Sequence, residues 1–196
     1  MRCQIVFAHP LAESYSGMLA AAARRALERA GHDVVFTDLY REGFDPVLTG
    51  AERDCYYLSP EGNAGIAPYI EELRRAEGMV FVFPHWWFNM PAILKGYFDR
   101  VWVPGVAFRH AKHRGRIEPL LTNLRQVSVV TTYGASRWTV EFVMRNPTRR
   151  LFRTGLVRGC AGNARFRLLA QYNMDRVSHD RRLRFIARVE REFERP

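Results

Sequence analysis

Short, almost wholly apolar runs alternate along this chain with longer stretches whose apolar residues recur every three or four positions. That alternation predicts strands and helices in turn. Cys3 to Ala8 is the first apolar run, as expected of a parallel strand covered on both faces. Met18, Leu19, Ala22, Ala23, Ala26 and Leu27 then recur at helical spacing, with Ser14 or Ser16 placed as N-cap and Gly31 as a left-handed C′ residue. The spacing predicts a helix over Tyr15 to Ala30. Val34 to Thr37 reads as the second strand. Asp38 to Pro60 is loop-like, carrying Gly43, Pro46, Gly50 and Pro60, with room for one short helix. Ile66, Tyr69, Ile70 and Leu73 mark an amphipathic helix reaching Ala76, and Met79 to Phe83 is the third strand. Pro91 suits the first turn of a helix through Trp102, which Pro104-Gly105 stops.

Val127 to Thr132 is the fourth strand, preceded by a short helix near Leu120. A helical stretch from Val140 to Arg153 follows, and Pro147 should end or kink it. Ala164 to Leu169 alternates apolar with charged residues, the pattern of an edge strand with one solvated face. Arg182 to Glu194 closes the chain as a helix, with Leu183, Ile186, Ala187, Val189 and Phe193 toward the sheet. Five strands alternating with helices, and no internal repeat, define an α/β domain over residues 1–196, wound right-handed around a parallel sheet. Ligands of such sheets bind beyond the carboxyl ends of the strands, where strand order reverses. The loops after Ala8, Phe83 and Thr132 are therefore the ones to inspect.

Composition narrows the class. With 196 residues and 47% hydrophobic content the chain can bury one sizeable core, which excludes disorder. The apolar run at the N-terminus is too short for a secretory signal, and no stretch nears the roughly 20 residues of a membrane span. A soluble cytoplasmic protein is expected. Cys3, Cys55 and Cys160 show no C-x-x-C spacing, and His110 and His113 have no further ligand at metal spacing, so neither a disulfide framework nor a metal site is expected. The net charge of +10 is uneven: residues 145–196 hold 14 Lys+Arg against 5 Asp+Glu. Such a basic third can attract nucleic acid, an anionic membrane surface or phosphorylated small molecules, or be a solvated arginine face. No helix-turn-helix, RNP-type or zinc-finger pattern accompanies it, so no nucleic-acid partner is expected.

The three loops carry candidate chemistry. His9-Pro10-Leu11-Ala12-Glu13-Ser14-Tyr15-Ser16-Gly17 leads into a helix N-terminus, where free backbone N–H groups, the helix dipole and serine hydroxyls favour a phosphate. Glu13 repels such a ligand, so either it points to solvent or the phosphate sits further along near Ser14 to Ser16. There is no G-x-G-x-x-G and no Walker lysine, so neither a dinucleotide fingerprint nor a triphosphatase loop is supported. After the third strand, His85-Trp86-Trp87-Phe88 places four rings where a chain leaving a buried strand should turn polar. They are either a hydrophobic cluster under the next helix or flat contact for a plate-like ring system such as an isoalloxazine. Thr131-Thr132-Tyr133-Gly134-Ala135-Ser136 offers hydroxyls, a small-residue turn and an aromatic, or equally a plain strand-to-helix loop.

The segment Phe83-Pro84-His85-Trp86-Trp87-Phe88-Asn89-Met90-Pro91-Ala92-Ile93-Leu94-Lys95-Gly96-Tyr97-Phe98-Asp99-Arg100-Val101 resembles a long block, F-P-x-x-W-F-x-x-P-A-x-L-K-G-W-x-D-R-V. The block belongs to the NAD(P)H:quinone oxidoreductases of the DT-diaphorase type and their smaller bacterial relatives. Ala8-His9-Pro10 with Ser14-Tyr15-Ser16, and Gly105-Val106-Ala107-Phe108, are similar to two further family segments, so the resemblance covers about residues 3 to 136. It implies a flavodoxin-like three-layer sandwich with a five-stranded parallel sheet in the order 2-1-3-4-5. By the same resemblance His9, Ser14, Tyr15 and Ser16 hold a flavin phosphate, Pro84, His85, Trp86, Trp87 and Phe88 line the isoalloxazine, and Thr131, Thr132 and Gly134 bind its polar edge. Tyr133 stands where the family has the first glycine of T-T-G-G, and His85 where an aliphatic residue is common.

The resemblance further implies ping-pong hydride transfer from NAD(P)H through flavin N5 to a quinone-like acceptor, in a homodimer. FMN is favoured by the modest chain length, with FAD the alternative. Trp86, Trp87, Phe88 and Tyr133 are expected to shape the slot, and Tyr133 or His85 to donate a hydrogen bond to the hydroquinone. Arg109, Lys112, Arg114 and Arg116 are candidates for steering the phosphates of NADPH. Two alternatives stay open. One is a flavodoxin-type electron carrier, which the strongly basic charge disfavours; the other is an ancillary flavoprotein subunit of a membrane ion-efflux system.

Overall fold

The computed structural model describes residues 1–57, 65–111 and 117–194. Five parallel strands form the central sheet: β1 (Arg2–Phe7), β2 (Asp33–Asp38), β3 (Gly78–Pro84), β6 (Gln126–Thr132) and β7 (Arg165–Gln171). Their spatial order, β2-β1-β3-β6-β7, is the 2-1-3-4-5 order expected from the sequence. Side chains of β1 and β3 alternate between two cores, as a period of two demands. Val6, Phe81 and Phe83 join one cluster with Tyr97, Phe98 and Phe152. Ile5, Phe7, Val80 and Val82 join the other with Leu19, Ala23, Phe185 and Val189. Every residue of β3 is buried, which is why this strand reads as an unbroken apolar run.

Helix α1 (Tyr15–Arg29) starts where Ser14 accepts the Gly17 amide, and it ends before Gly31 at φ 77°. Helices α2 (Gly50–Asp54), α3 (Ala67–Arg75) and α4 (Ala92–Val101) cover the first cluster's side of the sheet, together with the segment after Asn146. The Gly96 of the motif block has a steric reason. A Cβ there would sit 2.3 Å from the Pro46 carbonyl oxygen, so only glycine lets the loop after β2 cross α4. One turn on, Arg100 is buried and ties the same loop down. It donates to Glu52 at 2.6 Å and to the Asp45 carbonyl, and it lies over the Phe44 ring.

Three expectations are corrected. No helix forms near Leu120 among the described residues; β4 (Phe108–His110) and β5 (Ile117–Pro119) pair there antiparallel, closed by the Arg109–Glu118 ion pair. The helical stretch is interrupted at Pro147 as expected, since a π-helical turn over Thr139–Val143 ends before it. Pro147 also starts the next helix: Asn146 caps it by accepting the Arg149 amide, and proline at N1 loses no hydrogen bond. From that start, α5 (Pro147–Arg149) continues as a wider π-helical stretch over Arg150–Ala161, well past Arg153. The closing helix α6 (His179–Glu194) begins earlier than its apolar pattern suggested. It buries Phe185, Val189 and Phe193, spaced four apart on one face, while Leu183 points to solvent. Lys112, His113, Arg114 and Arg116, with Pro60, lie outside the described residues.

Arg100→Met removes the buried guanidinium that ties Glu52 and the Asp45 carbonyl to α4, so we expect a loss of about 3 kcal/mol in chemical denaturation. Arg24→Ala removes only the exposed pair with Glu28 and should cost under about 0.5 kcal/mol. Equal losses in the two variants would contradict this ranking.

Candidate functional site

Because the strands are parallel and in register, the loops after β1, β3 and β6 leave the sheet at one end: Phe7 pairs with Val82, and Pro84 with Thr132. Ring contacts bring all three together. His9 lies 6.0 Å from Trp86, and His85 stacks on Tyr133 at 4.0 Å.

The first loop wraps tightly onto α1. A Cβ at Gly17 would sit 1.9 Å from the Ala12 carbonyl oxygen, so the turn closes only around glycine. Ser14 spends its hydroxyl as the cap. Tyr15 donates its hydroxyl to the Arg182 carbonyl, tying α1 to α6, and its half-buried phenol is pushed up to about 12. His9 bonds its own turn through Leu11. What remains is a set of donors: the backbone N–H groups of Tyr15 and Ser16, and the hydroxyl of Ser16, have no partner among the described residues, and Ser16 is 5% exposed. Unpaired donors at the N-terminus of a fifteen-residue helix fit a phosphate. Glu13 is exposed, as expected.

The second loop is a two-residue turn. Trp86 and Asn89 exchange backbone hydrogen bonds at 3.1 and 3.0 Å, with Trp87 and Phe88 between them at φ 53° and 57°. Such turns normally place Asn or Gly at both positions. Two bulky aromatic residues held left-handed are strained, and the strain leaves the Trp87 ring 97% exposed. Trp86 is partly exposed and Phe88 half-buried, so the turn presents a flat apolar surface beside the first loop. Its chemistry fits one face of a planar ring.

The third loop differs from its sequence reading. Thr131 donates its hydroxyl proton to the Phe83 carbonyl at 2.6 Å, so it must accept from His85 Nδ1 at 2.8 Å. His85 Nε2 is then the lone-pair nitrogen and takes the Thr148 hydroxyl, and Thr148 in turn accepts from the Tyr133 hydroxyl at 2.9 Å. The donors allow only this direction: Tyr133 to Thr148 to His85 to Thr131 to Phe83. Burial drives the His85 pKa down to about 3 and the Tyr133 pKa up to about 12, so both stay neutral. Tyr133 is 1% exposed and stacked between His85 and Tyr172. Its amide donates to Gln171, and Gly134 sits on an exposed turn beside Asp175. The hydroxyl of Thr131 is therefore committed internally. Thr132 accepts from the His85 amide through its carbonyl.

Sequence reasoning missed Thr148, Glu141, Asn146 and Tyr172. Glu141 accepts from Tyr172 at 2.7 Å and from Asn146 at 3.0 Å, and so orders the segment that carries Thr148. The available signal was Asn146-Pro147, a cap followed by an N1 proline, which marks a helix start and would have placed Thr148 in its first turn.

A neutral buried histidine links stability to pH. Below the ordinary histidine value of 6.5 the unfolded chain binds a proton that folded His85 refuses until about pH 3, so stability falls as pH drops through that window. The full effect is on the order of 4 kcal/mol. His85→Gln should lose much less stability between those two pH values in denaturant titrations; an unchanged pH slope would refute the assignment.

A family model described as a flavodoxin-like fold matches residues 1–158. An uncharacterized NAD(P)H oxidoreductase of Escherichia coli is 39% identical over 109 residues, 55% of this chain and 55% of that protein. The NAD(P)H dehydrogenase (quinone) 1 of Rattus norvegicus is 30% identical over 158 residues, 72% of this chain and 57% of the relative. The chain thus spans little more than half the length of these curated relatives. A solved NAD(P)H:quinone oxidoreductase from Methanothermobacter marburgensis superposes with a TM-score of 0.81 at 28% identity, over 99% of this chain and 96% of that one. A Streptococcus mutans protein superposes with a TM-score of 0.90 at 26% identity, over 100% of both. The family match runs from β1 into the π-helical stretch after Pro147 and so takes in all three loops: the chain belongs to the flavodoxin-like fold family.

Proposed function

We propose that the chain is a flavin-dependent NAD(P)H dehydrogenase that passes two electrons as hydride to quinones or similar acceptors. One observation carries the reading: the loop that leads into the unpaired donors of a helix N-terminus and the strained aromatic turn meet at the carboxyl end of the sheet, where the His9 and Trp86 rings lie 6.0 Å apart. A ligand with a phosphate at one end and a planar ring at the other fits that pair. The kinds of reaction named for the relatives support the choice of chemistry.

Bound flavin would supply the hydride-accepting and hydride-donating chemistry. The chain's own residues do the rest. The Tyr15 and Ser16 amides and the Ser16 hydroxyl hold one phosphate, and this single cradle favours FMN over FAD. Trp86, Trp87 and Phe88 cover one ring face, with Pro84 and His85 beneath them and Thr132 and Gly134 toward the polar edge. Proton handling falls to His85 and Tyr133. Tyr133 is the member of the pair with a proton to give, and Thr148 can turn its hydroxyl from His85 to the phenol oxygen as that proton leaves. A homodimer in the cytoplasm completes the reading; no helix among the described residues is long and apolar enough to cross a membrane.

The absorption spectrum of the purified protein, with chromatography of the released cofactor, should show FMN; protein that takes up neither FMN nor FAD would sink the reading. In NADH- and NADPH-driven quinone reduction, Trp87→Ala should lower flavin occupancy. Tyr133→Phe should lower kcat by about a hundredfold at little-changed KM. Rates and occupancy unchanged in both variants would remove these residues from the site.

A further inference from the structure

One carboxylate stands behind the run of hydrogen bonds from Tyr133 to Phe83 without joining it. At a single oxygen, Oε1, Glu141 accepts from the Tyr172 hydroxyl at 2.7 Å and from the Asn146 side-chain amide at 3.0 Å. The two donors lead to different parts of Tyr133. Tyr172 reaches its ring: the two rings lie nearly parallel, 6° apart in angle and 5.3 Å apart at their centroids, while His85 stacks on Tyr133 at 4.0 Å. Asn146 reaches its hydroxyl. It is buried and caps α5 by accepting the Arg149 amide at 2.9 Å, and so fixes the first turn of α5, which carries Thr148. Thr148 is the group that accepts the Tyr133 hydroxyl proton, at 2.9 Å.

The Asn146 branch needs this support. Asn146 and its neighbour Arg145 sit left-handed, at φ 42° and 52°, a conformation that non-glycine residues hold only where their surroundings enforce it. The Asn146 backbone amide donates to the Val140 carbonyl at 2.7 Å, and its side chain is divided between the α5 cap and Glu141. Loss of the Glu141 acceptor leaves a side-chain donor unpaired on a residue that is only 3% exposed. The placing of Thr148 then has one hold fewer. A proton passes along a bond already formed, and a donor or acceptor misplaced by about 1 Å costs on the order of a hundredfold in rate.

We propose that Glu141 is a positioning residue for Tyr133: through Tyr172 it sets the lie of the phenol ring, and through Asn146 it sets the place of Thr148, so that the hydroxyl proton is held ready for the acceptor being reduced. This role rests on the reading of Tyr133 as the proton donor of the quinone-reducing half of the cycle. Placing, and not charge, is what the carboxylate supplies. Both bonds end on one oxygen, so a glutamine carbonyl can take both and alanine neither.

The first measurement is made before any cofactor is added. Nitrogen NMR of the labelled protein should show His85 as the Nδ1–H tautomer, with Nε2 shifted by the Thr148 hydroxyl. Glu141→Ala should move the Nε2 resonance toward that of a nitrogen with no donor, and Glu141→Gln should leave it in place. The second is stopped-flow on the flavin-loaded protein, following bleaching by NADPH and recovery on adding benzoquinone. Glu141→Ala should slow recovery about tenfold and leave bleaching within about twofold, while Glu141→Gln should keep both within about twofold of the parent. Tyr172→Phe keeps the ring and removes one of the two bonds; it should slow recovery about fivefold, and it serves where Glu141→Ala fails to fold. An unmoved His85 resonance, recovery as fast in the alanine variant as in the parent, or equal slowing of both half-reactions overturns the proposal. Equal losses in the alanine and glutamine variants overturn it too, because charge would then be the property that counts. Protein that takes up no flavin defeats the proposed function instead, and the His85 resonance still decides whether Glu141 places Thr148.

Discussion

Everything at the candidate site depends on the parallel pairing of β3 with β1 on one side and β6 on the other. A parallel strand cannot turn back on itself, so each must be followed by a crossover that covers a face of the sheet. Both faces of β3 are consequently sealed, and its polar exits are confined to one edge. Three chain segments far apart in sequence thus leave the core within a few ångströms of one another, before any side chain contributes to the meeting.

What the side chains add is a division of labour between the loops. The first keeps its donors unpaired, and the second keeps its rings uncovered. The third spends nearly every polar group on itself. Thr131 can give only one proton, and a carbonyl can only accept, so the protonation of His85 and the direction of every bond as far as Tyr133 follow from counting donors. Such a closed chain holds a histidine neutral in an apolar setting without an ionic partner. It also explains how tyrosine replaces the glycine and histidine the aliphatic residue of the related pattern: each satisfies the other through Thr148.

The cap of α1 and the role of Gly31 were legible because each follows from a local pattern, and the strand order through the resemblance of the motif block; the need for glycine at positions 17 and 96 lies in close approaches that only the fold shows. Pro147 was legible as a break but not as a start, because a proline interrupts a helix in its interior and begins one at N1, and only the Asn146 cap marks the second role. The β4–β5 pairing was invisible for a different reason. Its two strands are three residues each, too short for a period, and their partners come from across a loop. Leu183 and Phe185 are both apolar, and the rotation of α6 that buries the second is set by packing against α1 and the sheet. Thr148 could not be assigned from sequence at all, since its importance lies in touching His85 and Tyr133.

The turn at Trp87 and Phe88 sets thermal robustness against function. Glycine or asparagine at either position would relax the backbone and raise stability, and an unbiased selection for heat tolerance would find those changes readily. Each would also delete a ring from the aromatic wall. Attempts to harden this scaffold should therefore hold that turn fixed and look for gains elsewhere, because here the least stable local choice of residue is the one that makes the surface.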